Sequence, residues 1–317
     1  MFQHIIKTIG VLNQKGGVGK TTVATVIAEY LALRKSLRCL VVDTDMQCNA
    51  SDYWVGMEPA IDQSGGQLPP KHPDYAGESY LEERSTIADI FFGKSVMPYS
   101  TYLDGKTHGS GLVDVMLGHP AHLERINNEF DNKSGKIEPK VVSHLGAYLH
   151  DETVKEEYDL IIIDTGPSRS PLFRAALRAA THALIPFEPE GKSLQGINAM
   201  LQAVASERYA RAQDDTPLEL LGLLPNKVRH TNLHRDALAD VRKLQAGRLT
   251  PEDVYLPNSI AFPERDVKGA RPHSVFHLRD DHPARLQSEI VGEFVYQRVF
   301  QNQLETKDAN QMDVQTA

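Results

Sequence analysis

The stretch Asn13-Gln14-Lys15-Gly16-Gly17-Val18-Gly19-Lys20-Thr21-Thr22 limits what this chain can fold into more than any other part of it. An apolar run, Ile9-Gly10-Val11-Leu12, leads in, and a helical pattern runs out from Thr21 to Leu33. Strand, glycine loop and helix in that order are the setting of a phosphate-binding loop. Three glycines let successive backbone N–H groups converge on phosphate oxygens, and the helix N-terminus adds a favourable dipole. Lys20 is placed to neutralise the outer phosphates, and the Thr21 hydroxyl to ligate Mg²⁺. The competing reading is a glycine turn that happens to precede a lysine, and a strand and helix in register on either side argue against it. The expected ligand is a nucleoside triphosphate.

The loop departs from the usual G-x-x-x-x-G-K-[ST] pattern. Gln14 stands where its first glycine belongs, and a second lysine, Lys15, follows. One set of phosphates does not need that lysine, so it is either a solvated charge or has work elsewhere. The octet Lys15 to Thr22 resembles the deviant Walker A loop of the ParA/MinD ATPase family, closest to its ParA-type partition members. The resemblance implies ATP with Mg²⁺, held by Gly16, Gly17, Val18, Gly19, Lys20, Thr21 and Thr22. It also implies that Lys15 reaches across a dimer interface to the nucleotide of the other subunit.

Apolar runs alternate with helical stretches along most of the chain. The strands expected are Ile5–Leu12, Arg38–Asp43, Leu112–Leu117, Leu160–Asp164, His182–Pro186, Leu218–Leu224 and Val254–Leu256. The helices expected are Lys20–Lys35, Ala121–Phe130, Val141–Glu156, Ser170–Ala180, Leu194–Arg208, Leu233–Leu244 and Ala284–Leu304. Continuous apolar strands indicate a parallel sheet covered on both faces. The fold class is therefore α/β, a doubly wound, mostly parallel sheet flanked by helices, with ligands outside the carboxyl ends of the strands. One ATPase domain is expected over residues 1–306, followed by a polar tail over 307–317. Residues 52–85 include a Pro/Gly/Ser-rich stretch without periodicity and read as either a lid or a disordered insertion.

Two strand ends deliver carboxylates. Asp43-Thr44-Asp45-Met46-Gln47-Cys48-Asn49-Ala50 resembles the family's first switch, with Met46 and Cys48 in place of its proline and glycine. By that match Asp45 positions the hydrolytic water and Asp43 lies near the metal; otherwise Asp45 is a helix N-cap. Leu160-Ile161-Ile162-Ile163-Asp164 reads as a buried strand carrying the Walker B acid, so Asp164 reaches Mg²⁺ directly or through water. Gly166 permits close approach to the γ-phosphate and Pro167 stiffens the turn; Asp164-Thr165-Gly166-Pro167 resembles the family's second switch, Asp-Thr-Pro-Pro, with glycine in place of the first proline. Asn226, after an apolar strand, matches the family's adenine-reading asparagine and fits a turn residue equally well.

A net charge of −8 across 317 residues runs against a protein that coats nucleic acid globally, so DNA contact must rest on a local patch. Arg229, Arg265, Lys268 and Arg271 are the candidates. DNA binding of this kind reads phosphates and no base sequence. Two cysteines make no disulfide framework, which fits a reducing cytosol. No apolar run approaches membrane-spanning length, and Met1-Phe2-Gln3-His4 moves straight into a strand, so no leader and no N-terminal helix-turn-helix domain are expected. The resemblance implies an ATP-dependent homodimer, cytoplasmic and nucleoid-associated, with a ParB-like or cargo-adaptor protein stimulating hydrolysis. An ATP-dependent metabolic or cofactor-maturation enzyme is the alternative on the same core, without a His/Cys cluster to support it. A Min-type membrane ATPase is the third, and residues 301–305 are neither basic nor apolar enough for its membrane helix.

Overall fold

A strand buried on both faces has to be apolar throughout, and Leu160–Asp164 is buried at all five positions. It lies in the middle of the protein. The computed structural model describes residues 6–60, 66–74, 84–106, 111–131, 139–211, 217–265 and 274–301. The chain begins with β1 (Lys7–Val11), α1 (Lys20–Lys35), β2 (Arg38–Asp43), α2 (Asn49–Trp54) and a small hairpin of β3 (Glu58–Pro59) and β4 (Gln67–Leu68). There follow β5 (Tyr99–Asp104), β6 (Leu112–Met116), α3 (Pro120–Asp131), α4 (Pro139–Leu149), α5 (Glu152–Glu157), β7 (Leu160–Asp164) and α6 (Pro171–Ala179). The rest comprises β8 (His182–Phe187), α7 (Ser193–Ala210), β9 (Glu219–Pro225), α8 (Asn232–Leu244), α9 (Ala261–Glu264) and α10 (Pro283–Tyr296).

Seven strands form one sheet in the order β5-β6-β2-β7-β1-β8-β9. Every neighbouring pair is parallel except β5 with β6. The expected α/β class is the one found. Alternate side chains of β7 feed opposite faces: Leu160 and Ile162 join the cluster under α1 and α10, while Ile161 and Ile163 join the one under α3, α4 and α6. The register sets Asp43 of β2 directly opposite Asp164 of β7, and Val11 of β1 opposite the same residue. Three adjacent strands thus end together, bringing the glycine loop and both acidic segments to one rim.

Three expectations need correction. Val254–Leu256 is no strand; its backbone braces the end of β9 through Leu256 N–H to Pro225 O (3.0 Å) and Val228 N–H to Leu256 O (3.1 Å). The helix expected over Val141–Glu156 is two, because Asp151 caps α5 by accepting from the Thr153 N–H at 3.0 Å. The edge strand β5 was not anticipated: its burial alternates, so it shows no continuous apolar run. Within 52–85, α2 and the β3–β4 hairpin are ordered elements, while 61–65, 75–83 and the 307–317 tail lie outside the described residues.

Helix α1 packs on the sheet and against α10, and its one mid-helix acid, Glu29, has no exposure at all. A buried carboxylate has to be paired. Glu29 accepts hydrogen bonds from Tyr53, Tyr102 (2.9 Å) and Ser274 (2.7 Å), and the Arg265 guanidinium lies 3.9 Å away. This group ties α1 to α2, β5 and the two segments on either side of 266–273. Glu29→Ala should cost about 3 kcal/mol or more, because it strands a buried cation and three hydroxyls. Chemical denaturation of the variant would measure this, and an unchanged midpoint would contradict the assigned role.

Candidate nucleotide-binding site

Between β1 and α1 the backbone forms a nest. Gly17 and Gly19 adopt left-handed φ values of 76° and 82°, which let the loop reverse without a side chain in the way. Asn13 fixes the entry by donating to Pro186 O at 2.7 Å and accepting from the Lys15 N–H at 2.8 Å. Helix α1 begins at Lys20 with no side-chain cap, so the N–H groups of its first turn face the loop mouth. Lys20 is buried and curls back to within 3.4 Å of the Lys15 carbonyl. Burial pulls its pKa down, opposed by the charges of Asp164 and Asp45.

The acidic side of the site is equally built. The Thr21 hydroxyl donates to Asp164 Oδ2 at 2.6 Å, while Asp164 Oδ1 is buried and has no partner among the described residues. Burial, with the neighbouring Asp43 charge second, pushes the Asp164 pKa up to about 8. Burial raises Asp43 to about 6, although the Ser51 N–H (2.8 Å) and hydroxyl (2.7 Å) and the Asp45 N–H (3.1 Å) all donate to it. A buried carboxylate oxygen aimed beside a threonine hydroxyl fits a hard divalent cation such as Mg²⁺. Thr21 and Asp164 are the residues that would hold it. Asp43, expected near the metal, has both oxygens engaged by Ser51 and Asp45 and so acts as the anchor of the first switch. No group of three His, Cys, Asp or Glu with metal-holding geometry occurs among the described residues. The remaining ligands of such an ion must be phosphate and water, as is usual for Mg²⁺.

Asp45 is 7% exposed and closes a turn, accepting from the Gln47 N–H at 3.0 Å. It does not cap α2: that position belongs to Cys48, in the left-handed region at φ 50° with its thiol buried. The two switches touch, since a Cβ added to Gly166 would come 3.3 Å from Asp45 Oδ1. Pro167 in turn abuts Gly16 of the loop, at 3.8 Å from where a Cβ would stand there. Thr165 donates to Val11 O at 2.8 Å and Thr44 to Asp164 O at 2.7 Å, stitching the three strand ends together.

Other expected residues fall in different places. Lys15 points away from its own loop and pairs with Glu190 at 2.6 Å, each side chain 45% exposed. The Asn226 amide is turned to the loop backbone: its Nδ2 donates to Val18 O at 2.7 Å and its Oδ1 accepts from the Lys227 N–H at 2.8 Å. Arg229 is exposed on the rim, 3.6 Å from Glu188. Arg265, expected on a DNA-facing surface, is instead in the interior with its side chain 3% exposed, donating to Thr25 and stacked 4.5 Å from the Tyr53 ring centroid. The buried charge of Glu29 draws it in. Lys268 and Arg271 lie outside the described residues. Ser51, Glu190 and Lys227 were missed, since only the folded chain brings them to the loop and switches.

The two raised carboxyl pKa values carry a sign. A carboxyl that holds its proton more tightly when folded favours the folded state most below its ordinary pKa, and this contribution is lost as pH rises through the folded value. Metal-free protein should therefore lose stability between about pH 4 and 8 from this pair. Asp164→Asn should flatten that slope and raise the melting temperature at the alkaline end. Melting curves across pH in a chelating buffer would test it, and identical slopes for the two proteins would refute the assignment.

Residues 6–214 match the family described as an AAA domain. The chromosome-partitioning ATPase Soj of Thermus thermophilus is 31% identical over 225 residues, 71% of this chain and 70% of that protein. The chain spans only 60% of the protein IncC of Escherichia coli, to which it is 28% identical. Among solved structures, the ATP complex of a Cyanothece McdA variant superposes with a TM-score of 0.67 at 18% identity, over 92% of this chain and 96% of that one. ParA of pNOB8 bound to nonspecific DNA gives 0.64 at 22% identity, over 93% of this chain and 99% of that one. With the glycine loop, the two acidic switches and this sheet order, the chain belongs to the ParA/MinD-type family of partition ATPases.

Proposed function

We propose that this protein hydrolyses ATP to position DNA or another large cargo on the nucleoid, cycling between a free form and an ATP-bound homodimer. The observation that carries the reading is the position of Lys15. One lysine, Lys20, already serves the loop from within, whereas Lys15 extends from it and, among the described residues, is paired with the exposed Glu190. Exposed ion pairs contribute little, so Lys15 is free to exchange Glu190 for the phosphates of a second subunit. Mg²⁺ bound beside Thr21 and Asp164 would neutralise phosphate charge. Asp45, held against Gly166 where the γ-phosphate would approach, orients the attacking water. Lys20 and the loop amides stabilise the charge that develops on the phosphates.

The dimer holds DNA through phosphate contacts alone, made by Arg229 on the rim together with Lys268 and Arg271. Support comes from the exposure of Arg229 beside the nucleotide loop and from the similarity to a ParA solved on nonspecific DNA. A ParB-like or cargo-bound adaptor stimulates hydrolysis and resets the cycle. The protein acts in the cytoplasm as one ATPase domain. No helix among the described residues is long and apolar enough to cross a membrane.

Lys20→Ala should abolish tight ATP binding, whereas Asp45→Ala should retain ATP and hydrolyse it slowly. Lys15→Ala should bind ATP as a monomer where the native protein dimerises, as read by light scattering with ATP and Mg²⁺. Equal loss of nucleotide in the Lys20 and Asp45 variants, or an ATP-independent dimer indifferent to Lys15, would contradict this division of roles.

On DNA, the ATP-loaded Asp45→Ala protein should bind unrelated duplexes alike, and affinity should fall with salt by about 0.9 log units per log unit for each phosphate neutralised. Arg229→Glu should weaken binding and make that slope shallower while sparing dimerisation. Binding indifferent to salt, or selective for one sequence, would rule out the phosphate-only mode.

A further inference from the structure

Lys227 has no assigned part in nucleotide chemistry, yet it is one of only three described non-glycine residues with a positive φ, at 54°. A side chain in that region is strained, and such strain persists where the surroundings enforce it. Here they do. On one side the Asn226 N–H is held by Phe187 O at 2.8 Å; on the other the Val228 N–H is held by Leu256 O at 3.1 Å. From this fixed corner two side chains reach the glycine loop from outside. Lys227 Nζ donates to the Gly17 carbonyl at 2.6 Å, and Asn226 Nδ2 donates to the Val18 carbonyl at 2.7 Å. The fit is so close that a Cβ on Gly19 would collide with Asn226 Nδ2.

In a planar trans peptide the carbonyl of one residue and the N–H of the next point in opposite directions. Drawing the carbonyls of Gly17 and Val18 outward therefore turns the N–H groups of Val18 and Gly19 inward, to the concave side where phosphate binds. A glycine-rich loop left to itself rotates its peptide planes freely, and the cost of fixing them would fall on ligand binding. We infer that Asn226 and Lys227 form an outer clasp that preorganises the phosphate nest, with Lys227 as a positioning residue that acts through the loop backbone. The assignment rests on the nucleotide reading of the loop and changes the part given to Asn226. Its amide shapes the anion site and does not read the base.

The clasp makes a demand that base recognition does not: it must matter to a ligand with no base. Calorimetric affinities for ATP, GTP and inorganic tripolyphosphate, each with Mg²⁺, should all fall by a similar factor in Lys227→Met, about three- to tenfold for one lost charge-assisted hydrogen bond. The deficit should persist at about 0.5 M salt, where a general loss of positive charge would be screened. Lys227→Arg, which keeps a charged donor on a long stem, should recover most of the affinity. In steady-state hydrolysis Lys227→Met should raise KM and leave kcat within about twofold, since the interaction is made before and during the reaction alike. A loss confined to ATP, with tripolyphosphate unaffected, would overturn the clasp in favour of contact with base or ribose. No loss for any ligand, or a loss that vanishes in salt, would overturn it as well. If the native protein bound none of the three ligands, the nucleotide reading itself would fall, and the clasp with it.

Discussion

Two carboxylates held side by side in the interior repel each other, and the pairing of Asp43 with Asp164 is the constraint around which this structure is built. Parallel register places them opposite one another at the ends of adjacent strands, both fully buried. The fold tolerates this by treating them differently. Asp43 accepts three hydrogen bonds from its own loop, which fix it to the first switch. Asp164 keeps one oxygen without a partner and a pKa raised to about 8. That asymmetry turns a local instability into an appetite for a cation. The glycine loop after the next strand, which runs into the uncapped start of α1, supplies the opposite preference for an anion. A metal–nucleotide complex satisfies both at once, which neither half of the site can do alone.

The charge logic extends outward in layers. Lys20 is buried and faces the acids; Lys15 is exposed and faces Glu190. Burial sets what each lysine can do. A buried ammonium has few alternative partners, whereas an exposed one changes partners at little cost. The same distinction separates Arg229 from Arg265. Both looked like surface cations in the sequence, but Arg265 is committed to Glu29 and serves the architecture of α1.

Much of this was legible in the residues. The glycine loop, the apolar runs of β1, β2 and β7 and the terminal aspartates of β2 and β7 identified the central strands, because burial on both faces leaves an unbroken signal. The edge strand β5 escaped notice since an edge is half solvated and its residues Tyr-Ser-Thr-Tyr-Leu-Asp alternate. Arg265 was misplaced for a different reason. Its partner, Glu29, is 236 positions earlier by number, and a charge inside a helix reads as solvent-facing unless the distant groups that cover it, here Tyr53, Tyr102 and Ser274, are known. The Asn226 amide posed the subtlest case: its position at the end of β9 was evident, but which way it turned depended on the strained corner at Lys227.

The reversal of β5 also decides where variation in this chain is felt. Because β5 runs against its neighbours, it starts at the rim where the parallel strands end, with Tyr99 beside Val115 near the close of β6. The stretch that feeds it arrives on the same side, and the Ile87 N–H is bonded to Leu117 O just past that strand at 2.8 Å. A parallel strand in the same place would have drawn this excursion to the opposite rim, away from the chemistry. As built, a change in the described stretch from Ile87 to β5 acts at the rim where the parallel strands end and leaves the strand order alone. A lineage of such proteins could change what they approach while keeping how they bind ATP.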